Sequence, residues 1–248
     1  MIKGNAYIIL LLLLVGCGIS KDCFKGNGNK IVQSYSLEGF TKIKVHEGVG
    51  LVIKQGPIYN VKVETNAKIL ENLSFIIEND MLIIKDNSTC NIARDYGQTI
   101  VYITTPNLTE IHSKTNQNIE SDGILTFSDI KLFSLDETDG SGTGDFYLNL
   151  YSNFIYVESN TGSNYYLSGE TYDMNVFFSW GTGRFQGENI KVTHLVSFFH
   201  RGSNDIILFP LNDVEGGIYA TGNVILNNNP AGNINVSEYF NGKLILNY

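Results

Sequence analysis

Short runs in which apolar and polar residues alternate recur along the chain. Lys42-Ile43-Lys44-Val45 and Val61-Lys62-Val63-Glu64 alternate with period two, the pattern of strands that bury one face. Phe75-Ile76-Ile77 and Met81-Leu82-Ile83-Ile84 flank Asn79-Asp80, a pair suited to a tight turn, and predict a hairpin. Ile100 to Thr104 reads as a further strand, stopped by Pro106. The one helical candidate, Lys68 to Asn72, is barely a turn long.

The second half repeats. Gly142-Thr143-Gly144, Gly162-Ser163-Asn164, Gly181-Thr182-Gly183, Gly202-Ser203-Asn204 and Ala220-Thr221-Gly222-Asn223 recur at spacings of 20, 19, 21 and 18 residues, each followed by a short aromatic or aliphatic run. Asn116-Gln117-Asn118 reads as an earlier, degenerate member. One sharp turn per period of about twenty residues predicts an all-β solenoid, whose stacked coils pair their strands in parallel around an apolar interior. Gly and Asn suit the corners because they tolerate positive φ, and Ser, Thr and Asn side chains can satisfy the backbone groups a corner leaves open. Turn spacing does not set strand direction, so an antiparallel sandwich with regular hairpins is the alternative.

Composition agrees with strands and turns. The 248 residues include only five alanines, with 25 glycines, 43% hydrophobic residues and 12% aromatics, which excludes a disordered or collagen-like chain. The formal charge is −8, and no Lys/Arg cluster is present to hold a phosphate backbone, so no nucleic-acid partner is expected.

At the N-terminus Lys3 precedes the apolar run Ile8 to Val15, too short to span a bilayer, and then Leu14-Val15-Gly16-Cys17. This pattern reads as a lipoprotein signal over residues 1–16, with Cys17 acylated, residues 17–35 a lipidated tether and residues 36–248 a single solenoid domain. No aspartate follows Cys17, which favours the outer membrane, facing the cell surface or the periplasm. Two or three acyl chains make a firm anchor. Cys23 and Cys90 then remain as an even pair in an oxidising compartment, and a disulfide between them is the expectation, worth roughly 4 kcal/mol in the loop-entropy picture. Two free thiols are the alternative. A zinc site lacks clustered Cys and His, since His46, His112, His194 and His200 are scattered.

The segments Phe40-Thr41-Lys42-Ile43-Lys44-Val45, Leu51-Val52-Ile53-Lys54-Gln55-Gly56, Val61-Lys62-Val63-Glu64-Thr65, Asn79-Asp80-Met81-Leu82-Ile83-Ile84, Pro106-Asn107-Leu108-Thr109-Glu110-Ile111 and Ala220-Thr221-Gly222-Asn223-Val224 together resemble the head GIN domain family of auto-transporter adhesins over about residues 36 to 226. The resemblance implies a right-handed β-helix-like domain at the cell envelope with an adhesive role, and carries over no catalytic residue. Asp136 to Gly144 departs from the family's short Gly-Ser-Gly turn, being longer and acidic.

Two constellations carry candidate chemistry. Asp136, Glu137, Asp139 and Asp145 offer oxygens for Ca²⁺, or carboxylates like those of β-helix polysaccharide lyases, against the plain reading of a solvated acidic loop. Counting back from the Gly181 and Gly202 corners places Phe177 on Phe198 and Phe178 on Phe199, one pair inside and one outside, and aligns Trp180, Arg201 and Tyr219. Such a column is a platform for sugar rings or a partner protein, unless Arg201 merely covers Trp180 by a cation–π contact. Trp180, Arg201, Tyr219, Phe178 and Phe199 are thus the candidate ligand residues. No nucleophile elbow, zinc motif or phosphate loop appears, and no cofactor is expected. The leading expectation is a non-catalytic envelope lipoprotein that binds a glycan or surface protein. A polysaccharide-active enzyme and a structural protein packed against an envelope partner are the alternatives.

Overall fold

A computed structural model describes residues 28–88 and 99–248. Its strands in chain order are β1 (Lys30–Tyr35), β2 (Lys42–His46), β3 (Val49–Gln55), β4 (Asn60–Asn66), β5 (Leu73–Glu78), β6 (Met81–Asp86), β7 (Thr99–Thr105), β8 (Glu110–Lys114), β9 (Ile119–Leu125), β10 (Asp129–Ser134), β11 (Phe146–Ser159), β12 (Tyr165–Phe178), β13 (Phe185–His200), β14 (Ile206–Pro210), β15 (Asp213–Ile218), β16 (Val224–Leu226), β17 (Ile234–Glu238) and β18 (Leu244–Leu246). The helix α1 (Ala67–Leu70) is one turn, and no described helix is long and apolar enough to cross a membrane.

The strands stack into a β-solenoid of about seven turns. One face runs β6, β2, β8, β10, the second halves of β11, β12 and β13, then β15 and β17, every neighbouring pair parallel. The other face runs β7, β3, β9, the first halves of β11 to β13, then β14, β16 and β18, again parallel. The parallel reading of the repeat therefore holds in place of the antiparallel sandwich. Antiparallel strands occur at the first end of the stack, where β5 pairs with β6, β4 with β7 and β1 with β4. Residues 30–35, read from the sequence as tether, are thus a strand, which β4 holds along its whole length. The predicted hairpin is present, with Asn79 and Asp80 at φ 50° and 60°.

The layers do not all follow chain order. The β2–β3 layer lies between the β6–β7 layer and the β8–β9 layer, so it is hydrogen-bonded on both sides. From β8 onward each coil is laid on the one before. In-register parallel pairing makes inward residues superpose: Leu82, Ile43, Ile111, Leu132, Val157, Val176 and Phe198 form one such row, all buried. Fully burying an aliphatic side chain contributes about 1.5–3 kcal/mol, so the stack is held mainly by these rows.

Asx side chains tie the corners together as the sequence suggests. Asp145 Oδ1 accepts hydrogen bonds from the Asn164 backbone N–H (2.9 Å) and side-chain amide (3.0 Å), and Asn164 Oδ1 accepts from the Arg184 N–H (3.1 Å) one coil on. Asp205, Asn223 and the Lys243 N–H repeat the pattern. Gly142 to Gly144 stacks on the Thr115 turn, where a Cβ at Gly144 would stand 1.9 Å from the Gln117 carbonyl oxygen.

Candidate functional site

Strand register locates the feature that sets the site. Six residues separate Phe178 from Phe185, whereas five separate Ser159 from Tyr165, His200 from Ile206 and Ile218 from Val224. The turn that carries Trp180 is thus one residue longer than its neighbours. Gly181 absorbs the surplus at φ +96°, where a Cβ would stand 2.2 Å from the Thr161 carbonyl oxygen. The longer turn projects Trp180 outward, leaving it 64% exposed. The Arg201 guanidinium lies over the indole at 5.5 Å from the ring centroid, a cation–π contact that leaves most of the ring free.

Trp180, Gly181, Thr182, Arg201, Ser203, Tyr219, Ala220 and Phe240 line a groove of about 410 Å³. Tyr219 pairs with Tyr239 in the coil stack, which puts Ala220 on the floor and Phe240, 57% exposed, at the far wall. The two aromatic walls sit on turns three coils apart, roughly 14 Å along the axis at ordinary strand spacing. The sequence reading missed Phe240. Its signal was Tyr239-Phe240-Asn241-Gly242, which repeats the Tyr219-Ala220-Thr221-Gly222 turn twenty residues later.

The predicted phenylalanine pairs are corrected by the same register. Phe177 stacks on Phe199 (centroids 4.7 Å) and Phe178 pairs with His200, each 22 residues apart, because the longer turn displaces a count made from the glycines. Phe178 points into the core and is buried, so it offers no surface. Phe199 belongs to an outer ladder of Phe177, Phe199, Tyr219 and Tyr239 stacked at 4.6–4.7 Å. Tyr219 reaches that ladder by folding its ring over Gly217, whose missing side chain leaves the space. Both faces of Phe199 and Tyr219 are therefore covered by rings, so Tyr219 lines the groove without a free ring face. Trp180 and Phe240 supply the free aromatic faces. Beside the ladder, Asn175, Ser197, Glu215 and Asn235 line a second, more polar groove of about 300 Å³.

The acidic stretch is not gathered around a common point. Among the described residues no group of three or more His, Cys, Asp or Glu is placed to hold a metal ion. Lys114, 2% exposed, lies under the loop and donates to Glu137 (2.8 Å) and to the Leu135 and Gly140 carbonyls, with Asp139 at 3.1 Å. Lys44 reaches Asp139 at 2.7 Å. Partial burial alone would raise the Asp139 carboxyl, but its hydrogen bonds from Lys44 and Lys114 outweigh this and bring its pKa to about 2. The Asp136 backbone N–H donates to the Asn160 side-chain oxygen, and Asp145 caps the Asn164 turn. The cations that hold the loop come from β2 and β8, distant in sequence. Cys17, Cys23 and Cys90 lie outside the described residues.

Residues 39–230 match the family described as "Putative auto-transporter adhesin, head GIN domain". Three solved structures share the fold: a putative adhesin from Bacteroides fragilis (15% identity, TM-score 0.80, covering 90% of this chain and 99% of that one), a putative adhesin from Parabacteroides distasonis (15%, 0.66, 90% and 99%) and a putative lipid binding protein from the same species (12%, 0.59, 89% and 99%). No curated protein matches. With the match extending over most of the chain and the solenoid common to these structures, the chain belongs to the head GIN domain family.

Proposed function

We propose that this chain is a non-catalytic binding module of the cell envelope, an adhesin that takes a glycan or surface partner in the groove between Trp180 and Phe240. The observation that carries this reading is an exposed tryptophan, set out by a lengthened turn and facing a second exposed aromatic across a groove with hydroxyls and a guanidinium. Tryptophan and phenylalanine faces stack on the C–H faces of sugar rings, and the polar groups fix orientation. Membership of an adhesin family supports the envelope setting. The Cys17 motif supports anchoring by lipid at the outer membrane, and Cys23 with Cys90 a disulfide near that anchor. The engagement of Glu137 and Asp139 with buried Lys114 and with Lys44 supports a structural role for the acidic loop over a lyase-like one.

The test is retention of the full-length chain on immobilised polysaccharides, with reducing-end release measured in the same samples. Retention is expected without product, and Trp180→Ala with Phe240→Ala is expected to weaken it at least tenfold. Folded variants that bind as well as the parent discard the groove. Product that disappears in Asp139→Asn replaces the binding module with an enzyme.

A further inference from the structure

The charge inside the groove is narrower in meaning than the groove itself. The Arg201 guanidinium lies over Trp180 at 5.5 Å from the ring centroid, and no carboxylate pairs with it among the described residues. The Arg184 side chain, four residues after Trp180 on the same turn, reaches the Asn204 side-chain oxygen at 3.5 Å, with no carboxylate partner among the described residues. Among the described residues Arg201 is thus the one guanidinium that lines the groove, in a protein whose formal charge is −8. The cation on Phe240's turn differs: Lys243 is matched by Glu238 at 2.8 Å. An unmatched guanidinium presents N–H groups in a fork that suits two oxygens of one carboxylate or sulfate, and its place beside the indole sets that fork next to an aromatic face.

We infer that the groove's ligand is an anionic glycan, with a pyranose face on Trp180 and a carboxylate or sulfate oxygen pair on Arg201. This rests on the groove reading above and names its chemistry. The general acidity of the protein repels polyanions elsewhere on its surface, so a local guanidinium confers selectivity as well as attraction.

The test is titration of the full-length chain, followed by the emission of its single tryptophan and by affinity electrophoresis, with dextran sulfate against dextran and polygalacturonate against its carboxyl-reduced form. The expected result is at least tenfold tighter binding of one or both anionic polymers than of the neutral twin, the responding pair identifying sulfate or carboxylate. Arg201→Gln should bring each pair within about twofold, and Arg201→Lys, which keeps the charge without the fork, should fall between. Equal binding of anionic and neutral polymers by the parent overturns this inference and leaves the glycan module standing. A preference that survives in Arg201→Gln also overturns it. No binding by any of the four polymers overturns both readings.

Discussion

His200 occupies the inward row between Phe178 and Ile218 and is wholly buried. Burial disfavours the imidazolium and lowers its pKa to about 4. An unfolded histidine protonates near pH 6.5, so between these values the unfolded chain binds the extra proton and stability falls as pH drops. The loss from this residue is about 3 kcal/mol, complete near pH 4 and absent above about 6.5. Urea midpoints measured from pH 7.5 to 4.5 should fall faster for the parent than for His200→Gln, and parallel profiles refute the assignment. The sequence could not have placed His200, because its burial depends on a 22-residue register that glycine spacing hides. The neighbourhood of Trp180 and Arg201 was legible because each stands one residue before a glycine corner, close enough to the corner for the count to hold. Phe178 was misread because one residue's shift turns an outward strand position inward.

At the scale of the element, the lengthened turn is the decisive piece. Gly181→Ala meets both a left-handed backbone and the Thr161 carbonyl, and should cost about 2 kcal/mol or more, read as a lower melting temperature with the strand spectrum retained. Deleting Trp180 returns the turn to the length of its neighbours and should leave a folded solenoid without its groove. Such a deletion variant that still binds its glycan shows that the turn is not the site. The acidic loop rests on one buried cation, so Lys114→Met should speed hydrogen exchange at residues 136–141 while the neighbouring coils keep their protection. Unchanged exchange there removes Lys114 as the loop's anchor. The corner repeat was readable because each turn must satisfy its backbone with Gly, Asn or Ser. Lys44 and Lys114 were not found from the loop, since ion pairing across coils leaves no local spacing to count.

Across the whole molecule, stability is distributed along the axis, each coil contacting only its neighbours. The β2–β3 layer is paired on both sides, whereas β1, β5, β17 and β18 each have one strand partner. Amide exchange should therefore be faster in β1, β5, β17 and β18 than in β2 and β3, and a uniform pattern contradicts the layered account. Parallel stacking was legible from the period of the repeat, but the order of the first layers was not, because degenerate early strands of similar composition fit several positions. That order matters for synthesis. Residues 42–55 leave the ribosome well before either layer that will enclose them, and the second of those layers is complete only at Leu125. The nascent N-terminal half must wait with two open strand edges, and closes as a unit. Every coil after it arrives on a finished template and can settle in the order in which it is translated.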